Sequence, residues 1–196
     1  MLNVANVVER TEAEGPGARF AVWVQGCPMR CKGCCNPDEL AFVTKTLTRP
    51  EDLASRAVSV EVEGVTLLGG EPFAQAAGLA RFAEIVRGAG LSVMVFTGYT
   101  LDELRAKDDP SVAKLLAQTD LLVDGRYERE RRTTEIRWVG SSNQRMHFLT
   151  ARYSPADPRF SARNSFEVHL VDGEVIVNGW PVLGAKTGRA IAGGES

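Results

Sequence analysis

Residues 18–35 read ARFAVWVQGCPMRCKGCC, an apolar run that opens into a loop holding all four cysteines of the chain. Ala18–Gly26 is β-branched and aromatic-rich, which predicts a buried strand ending at the cysteine loop. Cys27, Cys31, Cys34 and Cys35 then fall within nine residues, the first three spaced C-x3-C-x2-C. A disulfide scaffold joins distant segments, and cysteines this close would cross-link almost nothing. Thiolates so crowded can instead wrap one compact metal centre. Three ligands at this spacing would hold three irons of a 4Fe–4S cubane and leave the fourth open to a small molecule. An open iron is a reaction site.

Downstream, apolar strands and helical patterns alternate. Thr48-Arg49-Pro50-Glu51 has the form of a capping box, predicting a helix to about Ser59. Gly64–Leu68 predicts a short strand stopped by Gly69-Gly70, and Phe73–Gly88 carries apolar residues at helical spacing. Leu91–Phe96 is a further strand. Thr100-Leu101-Asp102-Glu103 is a second capping box, and the helical stretch Ser111–Gln118 leads into a strand at Asp120–Val123. Such alternation argues for βα units and a parallel sheet, hence an α/β fold.

The last third differs. Glu135–Val139 suggests one more strand, and Thr150–Asn164, rich in Pro, Arg and Ser, reads as a loop. Phe166–Val171 and Glu174–Val177 flank Asp172-Gly173, a two-residue hairpin signal. The tail from Gly184 is Gly- and Ala-rich and expected to fray. No repeat or linker divides the 196 residues, so a single domain is expected.

Composition excludes several classes. A formal net charge of −2 gives no electrostatic case for nucleic acid, and no apolar run approaches membrane-spanning length. The N-terminus lacks a secretory pattern, which makes the cytoplasm the expected compartment.

In a parallel sheet, ligands bind beyond the C-terminal ends of the strands. The cysteine loop, Gly69-Gly70-Glu71-Pro72, Thr97-Gly98-Tyr99-Thr100 and Asp124-Gly125 each follow such an end, so all four are expected to open on one face. Paired glycines let backbone approach a ligand closely, or simply make a turn. Pro72 biases Glu71 toward an extended conformation, so its carbonyl is expected to point out of the strand end.

Together, the cysteine motif and the Gly-Gly-Glu-Pro motif one βα unit later resemble the radical S-adenosylmethionine superfamily. Gly15-Pro16-Gly17-x-Arg19, Gly26-Cys27-Pro28, Thr97–Thr100, Val123-Asp124-Gly125 and Gly140-Ser141-Ser142-Asn143-Gln144 resemble its small activating enzymes of anaerobic ribonucleotide reductase. The resemblance runs from about Leu2 to Arg145. It implies an incomplete (β/α) barrel of about five or six mostly parallel strands, to which the hairpin read from the sequence at 166–177 adds a C-terminal element. It also implies one 4Fe–4S cluster on Cys27, Cys31 and Cys34, with S-adenosylmethionine on the open iron. The backbone of Gly69, Gly70 and Glu71, beside Pro72, would meet the methionine amino group. Thr97 and Asp124 would meet the ribose or carboxylate end. Reductive cleavage would give a 5′-deoxyadenosyl radical that takes hydrogen from a glycine of a partner enzyme, with no catalytic side chain needed beyond the cluster and S-adenosylmethionine.

Cys35 departs from this pattern, since the activating enzymes usually carry an aromatic residue there. A fourth cluster ligand would close the site, and a small apolar filler is the expected role. With four cysteines the chain holds one cubane at most, so electrons must come from outside, from a flavodoxin or ferredoxin. The charged run Arg126–Arg132 reads as a solvated face or as a docking patch for an acidic donor or the partner reductase. His147 and His169 read as structural or surface histidines. Two other readings are radical chemistry on a peptide or nucleobase-like substrate, and a non-catalytic iron–sulfur or zinc module.

Overall fold

The computed structural model describes residues 1–171 and 174–179. Its strands are β1 (Leu2–Thr11), β2 (Arg19–Val24), β3 (Thr46–Thr48), β4 (Gly64–Gly69), β5 (Ser92–Phe96), β6 (Leu121–Asp124) and β7 (Arg145–Phe148), followed by β8 (Phe166–Val171) and β9 (Glu174–Gly179). The helices are α1 (Pro50–Ser59), α2 (Ala76–Gly88), α3 (Leu101–Arg105) and α4 (Pro110–Ala117). Seven strands form one sheet in the order β3-β1-β2-β4-β5-β6-β7. β2, β4, β5 and β6 run parallel at its centre. β1, β3 and β7 pair antiparallel on the flanks. The mixed α/β class with a mostly parallel central sheet and a C-terminal hairpin is as expected, the sheet holding seven strands of which the central four are parallel.

The parallel strands form because nearly every residue in them can be buried. All six residues of β2 are buried, with Phe20, Val22 and Val24 facing the helices and Ala21 and Trp23 the opposite layer. Leu53 of α1, Leu79 and Phe82 of α2 and Leu115 of α4 close over the first face. Each such side chain contributes roughly 1.5–3 kcal/mol when fully buried. On the other face, Met94, Leu121 and Val123 pack against Trp138, Val139, Tyr153 and Phe160.

Local signals succeed where nothing competes with them. At α3 the capping box forms, Thr100 Oγ1 accepting from the Glu103 N–H and the Glu103 carboxylate from the Thr100 N–H. At α1 it does not: Arg49 is the N-cap without a side-chain bond, and Pro50 starts the helix. Thr48 is instead paired with Leu2 in the β3–β1 ladder, and Glu51 turns to Arg81 at 3.2 Å.

Glu135–Val139 is not a strand. Trp138 sits at φ 59°, its N–H donating to Asn164 Oδ1 and its indole N–H to the Ala13 carbonyl, which anchors a turn against the sheet. The strand that pairs with β6 is β7, further on. β1 and β3 are additional strands that the apolar pattern does not announce.

Residues 150–164 are loop, as expected, with one 3-10 turn at Pro158–Phe160. This loop closes the N-terminal ends of the parallel strands. Arg19 is fully buried there, its guanidinium donating to Thr66 Oγ1, Ser92 Oγ, the Tyr153 hydroxyl and the Val65 carbonyl. Tyr153 in turn donates to Glu63 at 2.7 Å, and Arg159 pairs with Glu63 and Asp157. β8 and β9 pair as a separate antiparallel ladder. The Glu167 carboxylate accepts from the Thr11 hydroxyl and the Glu12 N–H, and the Gly179 N–H donates to Glu14. The hairpin turn at Asp172-Gly173 and the tail at 184–196 lie outside the described residues.

Candidate metal centre

At the opposite ends of the parallel strands four loops meet. After β2 the chain turns through Gly26 at φ 98°, where a Cβ would stand 2.6 Å from the Phe42 ring. Backbone bonds then seat the cysteine loop: the Gly26 N–H donates to Glu39 O (2.8 Å) and the Cys27 N–H to Leu40 O (3.1 Å). The Gly-Gly pair lies against this loop. The Glu71 N–H donates to Gly26 O at 2.9 Å, and a Cβ on Gly70 would collide with that same carbonyl. Asn36 Nδ2 donates to the Gly69 carbonyl at 3.3 Å. The glycines are thus required by backbone packing on the cysteine loop, before any ligand is considered.

Cys27 is buried, Cys31 and Cys34 half-buried, and Cys35 exposed. Each of the first three sulfurs receives backbone N–H groups. Cys27 accepts from Met29 and Arg30, Cys31 from Tyr127, and Cys34 from Asn36 at 3.4 Å. Burial pushes the Cys27 and Cys31 thiols up, and the charge of Cys34 adds to both effects. A hydrogen bond from the Cys35 thiol brings Cys34 down to about 7, and the same bond holds Cys35 well above the ordinary thiol range. Cys35 is an exposed residue whose thiol is turned to Cys34 and desolvated there.

Among the described residues no three His, Cys, Asp or Glu side chains converge on one metal ion. A cubane makes a different demand, because each cysteine binds its own iron and the thiolates stand apart around the cluster. Three sulfurs on one loop, each with an amide N–H directed at it, fit that requirement.

Glu71 lies extended at φ −121°, as Pro72 requires. Its carbonyl, however, accepts from the Ala74 N–H and closes the following turn rather than standing clear. Its buried carboxylate joins two strand ends, accepting from the Phe73 N–H (2.9 Å), the Gly98 N–H (2.8 Å) and Thr97 Oγ1 (2.9 Å). Burial raises this carboxyl to about 7 against those donors. A Cβ on Gly98 would stand 2.8 Å from Met29 Cγ, so the third loop also touches the cysteine loop.

Asp124 is buried at the end of β6, Oδ2 accepting from the Leu101 N–H at 2.6 Å. His147 Nε2 lies 2.9 Å from the same oxygen without hydrogen-bond geometry. His147 thus has a carboxylate neighbour that its sequence surroundings do not reveal.

The Ser-Ser-Asn-Gln run clamps the loop after β6. Gln144 Nε2 donates to Gly125 O, Asn143 Nδ2 to Arg126 O, and Ser141 Oγ accepts from the Glu128 N–H. That loop carries the Tyr127 N–H bonded to Cys31, and Arg129, whose side chain lies over Gly33. The motif therefore positions a second loop against the cysteines.

Comparison with known proteins matches this region. The 4Fe-4S single cluster domain family matches residues 13–147. An anaerobic ribonucleoside-triphosphate reductase-activating protein from Vibrio cholerae is 33% identical over 146 residues, covering 69% of this chain and 91% of the relative. Its namesake from Pasteurella multocida is 31% identical over 146 residues, covering 69% and 90%. That from Escherichia coli is 28% identical over 144 residues, covering 69% and 91%. The chain belongs to the family of these activating proteins. The matched domain runs from before β2 into β7 and holds every residue of the candidate site, whereas the Tyr153–Asp157–Arg159 closure and the hairpin lie beyond it. Among the described residues no helix is long and apolar enough to cross a membrane.

Proposed function

We propose that the chain activates an anaerobic ribonucleoside-triphosphate reductase by installing a glycyl radical on it. The observation that carries this reading is the joining of the cysteine loop to the Gly69–Glu71 loop, backbone to backbone, at the C-terminal end of a parallel sheet. The names of the relatives support the partner.

Cys27, Cys31 and Cys34 would hold a 4Fe–4S cluster. Cys35 directly follows Cys34, and adjacent residues place their side chains poorly for two corners of one cubane, which favours three ligands over four. When bound, the cluster and S-adenosylmethionine supply one-electron cleavage of the sulfonium and a 5′-deoxyadenosyl radical for hydrogen abstraction from glycine. The protein's part is placement. The backbone of the Gly69–Gly70 pair would meet the methionine amino group, since the Glu71 backbone is turned into the loop that Pro72 opens. Glu71 fixes the Thr97-Gly98 loop relative to it. Thr97 and Asp124 would face the ribose or carboxylate end, Asp124 through Oδ1, because Oδ2 is engaged at α3.

The sheet is read as an incomplete barrel within a single domain of a cytoplasmic enzyme. Its lateral opening would admit a glycine loop of a protein substrate, and a flavodoxin or ferredoxin would supply electrons. Anaerobic reconstitution with iron and sulfide, followed by reduction with S-adenosylmethionine present, tests the reading. Production of 5′-deoxyadenosine, then an electron paramagnetic resonance signal of a glycyl radical on added reductase, is expected. An intact cluster without S-adenosylmethionine cleavage would sink it.

A further inference from the structure

The charged run after β6 is placed on the cysteine loop itself. The Arg129 side chain lies over Gly33, between Cys31 and Cys34, where a Cβ would meet its Cδ at 3.1 Å. Arg126 acts electrostatically on Cys31, whose sulfur accepts from Tyr127 of the same loop. From the cysteine side, Arg30 and Lys32 are exposed. Segments 30–32 and 126–132 together hold six cations, Arg30, Lys32, Arg126, Arg129, Arg131 and Arg132, against two carboxylates, Glu128 and Glu130, in a chain of formal net charge −2. The remainder of the molecule is therefore acidic, and this patch is set apart by sign.

Pairing only partly neutralises it. Arg126 meets Glu103 and Arg131 meets Glu128, each at 3.5 Å and each exposed. Such pairs are worth at most about 1 kcal/mol and leave the field outside the surface largely intact. Among the described residues Arg30, Lys32 and Arg129 have no ion-pair partner. Asn143, Gln144 and Ser141 hold the backbone of the run, so the cations are presented from a fixed loop. A merely solvated face needs no such clamp and no position over the metal ligands.

Resting on the proposed function, we infer that this patch is the docking surface for an acidic one-electron carrier protein. One electron passes from the reduced carrier to the oxidised cluster, and the carrier leaves oxidised by one electron. The step requires short range, because electron transfer falls steeply with distance, and Arg129 places the patch directly on the cysteine loop at Gly33. Steering by opposite charge raises association rates by 10-fold to 1,000-fold at low salt and fades as ionic strength rises.

The test is the second-order rate of cluster reduction in reconstituted protein, followed by stopped-flow bleaching with reduced flavodoxin and, separately, reduced ferredoxin. Reduced methyl viologen, a small cation that needs no docking, serves as reference. Arg131→Glu/Arg132→Glu is compared with wild type and with Arg152→Glu, an exposed change outside the patch. Iron content is measured in each. The expected result is a fall of about tenfold or more with the carrier protein, no fall with viologen, and a weakened salt dependence. Arg129→Gln, with its cluster intact, should fall in the same direction by a smaller factor. Equal rates in patch variant and wild type, or no reduction of wild type by either carrier, would overturn the inference. Normal carrier rates with lost glycyl radical transfer would assign the patch to the reductase instead, and so overturn it too. Cluster reduction without any S-adenosylmethionine cleavage would condemn the proposed function while leaving the docking result standing.

Discussion

The two ends of the parallel strands are built on opposite plans. At the N-terminal ends, Arg19 is wholly buried and its donors meet Thr66, Ser92, Tyr153 and Val65. The protein supplies both sides of every interaction there. At the C-terminal ends, glycines bring backbone close, and amide N–H groups converge on three sulfurs. One end satisfies its own polar groups; the other gathers glycine backbone and cysteine sulfurs at one mouth. Fully satisfied buried polar networks rigidify a fold, whereas a ligand end must keep its groups available.

The sharpest way to break this comparison is at the sulfurs. Cys31→Ser should abolish the cluster, seen as loss of bound iron and of its visible absorption, with thermal unfolding of the cluster-free protein little changed. Cys35→Ala should retain the iron. Loss of iron from Cys35→Ala equal to that from Cys31→Ser would show four ligands rather than three.

At the closed end the expected effect is on stability. Arg19→Met leaves the Val65 carbonyl, Ser92 and Thr66 without their donor, and should cost about 3 kcal/mol or more in urea unfolding. Iron binding measured well below the midpoint should survive. A variant as stable as wild type would show that the network is idle.

Smaller effects separate the ends further. Gly70→Ala forces a methyl onto the Gly26 carbonyl and should cost about 1–3 kcal/mol. It should also weaken S-adenosylmethionine binding, measured by calorimetry, more than it weakens the fold. Near the closed end, burial raises Glu14 from 4.5 to about 7, opposed by the Gly179 N–H. Its proton is held more tightly in the folded than in the unfolded chain. The stabilisation is therefore complete below about pH 4.5 and fades as the pH climbs toward 7, by up to 1.4 kcal/mol per pH unit. Glu14→Gln should flatten that slope in stability–pH curves, and an unchanged slope would remove Glu14 from the account.

Legibility in the sequence follows burial. β2, β4, β5 and β6 are buried on both faces, so they appear as apolar runs. β1, β3 and β7 are partly exposed, and Asn6, Glu9, Thr46 and Arg145 dilute their pattern. Two capping boxes look alike in sequence, but at α1 the ladder to Leu2 takes Thr48 and the pair with Arg81 takes Glu51. The cysteines and the Gly-Gly pair are legible because their spacing along the chain is itself the signal. The contact of His147 with Asp124, and the grip of Gln144 on Gly125, arise only from β7 lying beside β6. No local pattern announces them.

The contacts of Thr11 with Glu167 and of Glu14 with Gly179 join residues 156 and 165 positions apart. During synthesis the closed end must wait until almost the last described residue has left the ribosome. The backbone bonds that seat the cysteine loop reach no further along the chain than Glu39, Leu40 and the Gly70–Glu71 turn, and the loop after β6 joins it later. Local contacts form before distant ones, and chains fold as they emerge. The order of manufacture is thus built into the topology: the cysteine loop can begin to be seated on a half-made sheet, and the opposite end is sealed last.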